Sequence, residues 1–272
     1  MKINPQEIQS LIDAVQASRK YRYLNLPEAF LNDLIVNEAK LGLSKREIKE
    51  NFRKKLHEVI APYLEDIDYQ GETDRLINDT LGKPSPIELK DYALSIMQKH
   101  ASSRERLPHL EHFYECIWSH IGYPSSILDL ACALDPLALP WFNHSTLKTF
   151  IAVDIHKPRL TYLKTFFEHY FPFAKILHQD FIVQPITQSV DCVFLFKEVH
   201  RIEKRKPGLT RQICQQLNSK HIVISLPSAD LRGHHSLKDY HDQLILQTIE
   251  GLGYDIEKDQ VENELLYFIG KP

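Results

Sequence analysis

The chain has 272 residues, 43% of them hydrophobic and 25% charged, with a formal net charge of −3. That length holds one large domain or two smaller ones, and the composition excludes a disordered tail. Near-neutral charge leaves room for a basic stripe on one face, and the longest apolar runs fall far short of a membrane span.

Residues 1–90 carry apolar positions at helical spacing. Ile8, Leu11, Ile12 and Val15 mark one segment, and Pro27 opens another that carries Phe30, Leu31, Leu34 and Ile35. Ser44 with Glu47 three residues on is a capping-box pattern for a helix from 45 to about 60. Pro62, Gly71, Gly82, Pro84 and Pro86 are expected to break this region into short helices. Two more helices are predicted within 87–121, separated by the polar SSRER stretch and Pro108. From 126 the pattern changes to strand candidates at 126–130, 149–154, 175–179, 190–196, 221–226 and 264–269, with helices at 157–170, 207–218 and 238–251. This βαβ rhythm predicts a mostly parallel sheet and a division near residue 125, with the helical part forming its own substrate-engaging surface.

Three of the strand-like runs carry an acid at or next to their ends: SILDL at 126–130, FIAVD at 150–154 and ILHQD at 176–180. An acid on the first strand, a small-residue turn and a second acid 25 residues on suit an α/β domain that holds an adenosine-bearing cofactor at its strand ends. The turn has Ala131, Cys132 and Ala133 in place of a glycine-rich signature. S-adenosylmethionine fits such a turn, having no pyrophosphate that must approach the backbone. Asp154 could accept both ribose hydroxyls or cap the following helix. Asp180 could receive an adenine amino group, and Phe181 could cover the ring or lie in the core. Asp129 could orient the loop or meet the cofactor's ammonium, and the Arg106 guanidinium suits a methionine carboxylate. Lys197, which follows CVFLF, could meet a substrate phosphate or a protein carboxylate.

From Lys40 to His57 there are seven Lys or Arg against two Glu, and Arg46, Lys49 and Arg53 can share one helix face. Such a face tracks phosphates, or is simply solvated. Lys20 and Arg22 could extend it, as could Arg201, Lys204, Arg205 and Lys206 at the sheet's carboxyl edge. Cys116, Cys132, Cys192 and Cys214 show neither CxxC nor zinc-ligand spacing, so no metal is expected. With no signal peptide, they are expected to be reduced thiols in a cytoplasmic protein.

Together these segments resemble the aminoglycoside-resistance methyltransferases that modify N7 of a decoding-site guanine in 16S ribosomal RNA. The resemblance runs through SRKYRYLNLP at 18–27, KENFRKKLHEVIAPY at 49–63, HASSRER at 100–106, ILDLACALDPLALPWF at 127–142, FLFKE at 194–198 and VISLPSADLRGHHSLKDY at 223–240. It implies a Rossmann-like S-adenosylmethionine-dependent methyltransferase domain at 126–272, a helical rRNA-docking domain at 1–95, and a helical, cofactor-contacting linker at 96–125. It puts Arg106 on the cofactor carboxylate, Asp154 on ribose, and Asp180 and Phe181 at adenine, with Lys20 and Arg53 on rRNA. The partner implied is the 30S subunit, met by a monomer.

Departures from the family pattern stand at Ala131 and Ala133, where it has glycines, and at Asp135, where it has asparagine. Others are His234, where it has a basic residue, the missing Gly-Met pair ahead of Tyr240, and EDIDYQGE at 65–72 in place of basic residues. Ala131 narrows the space beside the cofactor's methionine portion. Guanine N7 has a free lone pair, so no general base is expected. Tyr240 and Trp141 are candidates for stacking on a flipped-out guanosine, and Lys197 for positioning its phosphate. The alternatives are a methyltransferase acting on another RNA site or a small molecule, and an RNA-binding homologue that has lost catalysis.

Overall fold

A computed structural model describes residues 3–61, 67–78, 84–230 and 235–272. Three helices come first: α1 (Pro5–Gln16), α2 (Glu28–Lys40) and α3 (Lys45–Ile60). Asn4 with Glu7 and Ser44 with Glu47 form capping boxes that start α1 and α3, each satisfying otherwise orphaned backbone amides. Ile48, Phe52, Leu56 and Ile60 recur every fourth residue on α3 and bury one stripe against Phe30, Leu31, Leu34 and Ile35 of α2 and Ile8, Ile12 and Val15 of α1. This core closes on itself, and Ile155 of the sheet region packs against its edge.

The next helices, α4 (Tyr69–Asn78) and α5 (Pro86–Met97), belong to a different core. Tyr69, Leu76, Ala93, Ile96 and Met97 pack with the apolar residues of the sheet. Gly71, expected as a breaker, lies in the first turn of α4, where its amide donates to Asp68 Oδ1 at 3.0 Å. The SSRER stretch, expected to separate helices, is itself helical as α6 (Ala101–Arg106), because the His100 imidazole accepts from the Ser103 amide and caps it. A 3-10 turn around Pro108 then leads to α7 (Leu110–Ile121). Pro62, Gly82, His234 and part of the 65–72 segment lie outside the described residues.

The remainder alternates β1 (Ser126–Leu130), β2 (Thr149–Asp154), α8 (Lys157–Tyr170), β3 (Ala174–His178), β4 (Val190–Phe196), α9 (Val199–Arg205), α10 (Leu209–Gln216), β5 (Ser219–Pro227), α11 (Lys238–Ile249), β6 (Asp255–Val261) and β7 (Glu264–Gly270). The seven strands run in the order β3-β2-β1-β4-β5-β7-β6, all parallel except β7 and its partner contacts. Alternate residues face opposite layers, with Phe150, Phe194 and Phe268 on the side of α4, α5, α7 and α8, and Ile151, Val193 and Ile269 on the side of α9, α10 and α11. Both faces are covered, which is why these strands read as continuous apolar runs. The chain reverses direction across the sheet between β1 and β4, and open α/β sheets hold ligands at the carboxyl ends of the strands at such a switch point.

Candidate active site

At the carboxyl end of β1 the backbone leaves the sheet through Ala131 and Ala133, whose φ angles are 53° and 46°. Left-handed backbone costs an L-residue about 1–2 kcal/mol. The turn is held from the neighbouring strand end: the Cys132 amide donates to the Val153 carbonyl at 3.0 Å, and the Ala133 amide donates to Asp154 Oδ2 at 3.1 Å.

Asp154 therefore joins the first two strand ends. Its Oδ1 accepts from the His156 amide at 2.9 Å, and its Oδ2 also accepts from Arg159 Nη1 at 3.1 Å. Three of about four carboxylate acceptor positions are filled, which leaves one for a ligand hydroxyl. The cap of α8 is His156, whose imidazole accepts from the Arg159 amide at 3.2 Å, so the capping role weighed for Asp154 falls to its neighbour. Arg159 is fully buried and donates through Nε to the Tyr69 hydroxyl at 3.0 Å. Burial pushes the Asp154 carboxyl up, but Arg159 and then His156 bring it below the usual carboxylate range.

Asp129 is the opposite case. It is 1% exposed, and neither carboxylate oxygen has a hydrogen-bond partner among the described residues. Burial, then repulsion from Asp135, holds it well above the usual carboxylate range, with only Arg106 opposing. Buried polar groups are nearly always satisfied, so this orphan calls for a donor from a ligand. A cationic amino group fits it in both charge and hydrogen bonding.

Arg106 lies at the end of α6, stacked on Phe113 and Phe196 with its central carbon 4.1 and 4.9 Å from the ring centroids. Its Nε and Nη2 donate to Glu264 Oε2 and Oε1 at 3.2 and 2.5 Å, and its Nη1 donates to Asp135 Oδ1 at 2.8 Å. Three of five N–H donors are thus committed to protein carboxylates, and two remain. Lys197, at φ 55° just past β4, reaches Glu105 Oε2 at 2.9 Å and Glu264 Oε2 at 3.6 Å. Of the two partners open to it, the protein carboxylate is the one it has.

Asp180 follows β3 and is buried, its Oδ1 accepting from the Ile182 amide at 3.0 Å and its Oδ2 from Arg205 Nη1 at 2.7 Å. Arg205 Nη2 donates in turn to Asp33 Oδ2 of α2 at 2.5 Å, so one guanidinium ties the strand end to the three-helix bundle. Phe181 is half-buried and packs on the core beneath α9, α10 and α11. Tyr240, 60% exposed, stands in the first turn of α11. Trp141 lies under Lys90 and lines, with Trp118 and Phe142, a cleft beside α5 and α7, and none of Asp129, Asp154 or Asp180 lines that cleft.

The bundle holds the other charged residues. Lys49 and Arg53 are exposed and form no ion pair among the described residues, while Arg46 pairs with Glu50 at 2.9 Å. Lys20 Nζ lies 3.2 Å from His57 Nδ1, one turn beyond Arg53, so Lys20 extends the same stripe. On α9, Lys204 is exposed and Arg201 meets Glu198 at 3.4 Å.

Sequence reasoning missed Arg159, Tyr69 and Glu264. An arginine in line with Tyr162, Leu163 and Phe166 on an apolar helix face was a legible sign of a buried partner. Glu264, an acid opening the apolar run ELLYFIG, was another.

The profile of the ribosomal RNA methyltransferase (FmrO) family matches residues 17–269. A 16S rRNA (guanine(1405)-N(7))-methyltransferase of Micromonospora echinospora is 29% identical over 177 residues, 64% of each chain, so the match spans less than two thirds of that relative. One of the same name from Serratia marcescens is 27% identical over 97% of this chain and 98% of its own length. Among solved structures, the 16S rRNA methyltransferase RmtF in complex with S-adenosyl-L-homocysteine superposes with a TM-score of 0.80 over 99% of this chain and 100% of that one, at 18% identity. The 16S rRNA methylase RmtB gives 0.79 over 99% and 100%, at 22% identity.

Proposed function

The chain belongs to the ribosomal RNA methyltransferase (FmrO) family, and from that premise we propose that it methylates N7 of a decoding-site guanosine of 16S rRNA in the 30S subunit, conferring aminoglycoside resistance. It does so as a cytoplasmic monomer, with residues 1 to about 95 docking on rRNA. When bound, S-adenosylmethionine supplies an electrophilic sulfonium methyl. The observation that carries its place in this chain is the orphaned Asp129 carboxylate at the switch point of the sheet.

Asp129 would hold the cofactor's amino group, the two uncommitted N–H groups of Arg106 its carboxylate, and the open acceptor position of Asp154 its ribose. Asp180 and Phe181 would flank adenine, beside the Ala131 turn. Even with Asp129 protonated, Asp135, Glu264 and Glu105 outnumber Arg106 and Lys197 here, so the cleft favours a cationic ligand and the cationic base that methylation produces. Because N7 attacks with a lone pair, the residues need only hold base and methyl in line and exclude water. Tyr240 at the rim would stack on the flipped base, and Lys197 would exchange the exposed Glu105 for its phosphate. Lys20, Arg46, Lys49 and Arg53, with Arg201 and Lys204, would track rRNA phosphates.

Incubation with labelled cofactor and 30S subunits, followed by borohydride and aniline treatment and primer extension, reports m7G as a strand break. The expected break lies in the decoding region. Label entering RNA only elsewhere would overturn the target, and no label in any RNA would overturn rRNA methylation itself.

A further inference from the structure

The cysteines show no metal-ligand spacing among themselves, yet folding supplies Cys116 with a different set of neighbours. Cys116 and His120 lie four residues apart on α7 and so share one face of that helix. That face packs against β6, the edge strand of the sheet. Strand alternation turns Glu257 and Asp259 toward α7, while Lys258 between them turns away to Asp242.

The donor atoms converge. Cys116 Sγ lies 3.4 Å from Asp259 Oδ2, and His120 Nε2 lies 3.8 Å from Asp259 Oδ2 and 3.8 Å from Glu257 Oε2. One ligand atom from each of Cys116, His120 and Asp259 falls within 4.8 Å of the others. Zinc bonds of the usual lengths at tetrahedral angles place such ligand atoms about 3.4–3.6 Å apart. Cys116, His120 and Asp259 are therefore near ligating separation before any ion arrives, and the exposed Glu257 stands beside His120.

The surroundings fit as well. His120 Nδ1 lies 3.0 Å from the Cys116 carbonyl, so an Nδ1–H donated there leaves the Nε2 lone pair facing the carboxylates. Metal-bound histidines are oriented in this way. The imidazole also lies flat on Phe268, with centroids 4.0 Å apart and planes at 6°. Asp259 Oδ1 accepts from the Gln260 amide at 2.7 Å, which leaves Oδ2 for the ion. Without an ion, the Cys116 S–H donates to Asp259 Oδ2.

We propose that Cys116, His120 and Asp259, with Glu257 as the fourth ligand, form a structural zinc site that fastens the edge strand β6 to α7. One thiolate, one imidazole and two carboxylates suit Zn²⁺ rather than the oxygen-seeking Mg²⁺ or Ca²⁺. Binding breaks the Cys116 S–H bond, forms a sulfur–zinc bond and releases one proton to solvent. This site is independent of methyl transfer.

The test uses full-length protein without a histidine tag, stripped with a chelator and titrated with Co²⁺ as a spectroscopic stand-in. One equivalent is expected to raise a thiolate-to-cobalt charge-transfer band and tetrahedral visible bands, both bleached by Zn²⁺. Cys116→Ser should lose the charge-transfer band, and His120→Ala and Asp259→Asn should bind roughly tenfold weaker or worse. Asp259→Asn sits at a half-exposed position and keeps its shape, and retained S-adenosylmethionine binding checks each variant's fold. The absence of a charge-transfer band in the parent protein overturns the site. So does equal Co²⁺ affinity in Asp259→Asn and the parent, whether or not Cys116→Ser folds.

Discussion

The three-helix bundle and the carboxyl edge of the sheet use the same charged residue types in opposite ways. On the bundle the cations stand in solvent: Arg46 is 87% exposed, and Lys49 and Arg53 have no acidic partner among the described residues. At the sheet edge Arg159 is fully buried against Asp154, and Arg106 is locked between Glu264 and Asp135 over two aromatic rings. A buried charge must be paired where it lies, whereas an exposed one is available to an outside partner. The difference separates residues held inside the fold from residues left available for the polyanion we propose as partner.

The hardest test of that contrast removes one cation from each region. Arg159→Ala leaves the Asp154 carboxylate buried without its ion-pair partner, and such losses cost about 3–5 kcal/mol. Urea denaturation should show it as a lowered midpoint with little change in slope, while Arg46→Ala leaves the midpoint where it was. Equal midpoints for the two variants would break the comparison.

Within the sheet edge, the paired and the orphaned carboxyl groups should part company. Asp129→Asn is expected to weaken S-adenosylmethionine binding about tenfold by calorimetry, yet to stabilise the empty protein at neutral pH by about 1 kcal/mol. The sign follows from the raised Asp129 carboxyl. Above the unfolded value of about 4, the folded state holds a proton that the unfolded state has lost, so stability declines as pH rises until Asp129 ionises. The variant should lack that decline. Matching the carboxylate to a cationic group favours its ionised form, so cofactor affinity of the parent should rise with pH over the same window.

On the bundle, Lys20→Glu and Arg53→Glu should each weaken 30S binding and lower the magnitude of the salt slope by about one, with calorimetric cofactor affinity unchanged. Filter binding at several salt concentrations measures this. An unaltered slope would mean that the stripe is solvated surface. The smallest effect belongs to the turn between β1 and the cleft. Ala131→Gly relieves a left-handed φ but adds chain entropy, for a net gain of about 1 kcal/mol or less by thermal denaturation.

Much of this was legible in the sequence. β1, β2 and β4 begin and end where their runs in the sequence do, because strands covered on both faces are mostly apolar along their length, with Asp129 and Asp191 as the acidic exceptions. Ser44 and Glu47 announced α3 because a capping box acts within four residues of chain. β6 was missed because DIEKDQV is an edge strand with one fully buried residue, Val261, and so carries almost no apolar alternation. α9 was taken as a bare basic cluster, though Val199 and Ile202 anchor it beneath those charges. In the site, Asp129, Asp154 and Asp180 were visible as acids at strand ends. The grip of Glu264 on Arg106 spans 158 residues, and a single sequence that marks Glu264 as an acid needing a partner does not say which residue supplies it.

Arg205 has a consequence for how the two regions respond to their ligands. Its guanidinium is shared between Asp33 on α2 and Asp180 beyond β3, with Phe30 of the bundle beneath it. A displacement of α2 would have to carry Arg205 with it or break one of these ion pairs beside the strand end that would face adenine. The two occupancies form a thermodynamic cycle, and a shared cation of this kind gives it a coupling factor other than one. Whatever factor the 30S subunit imposes on cofactor affinity, the cofactor must return on 30S affinity. Severing the link, as in Asp33→Asn, would move that factor toward one from both directions at once.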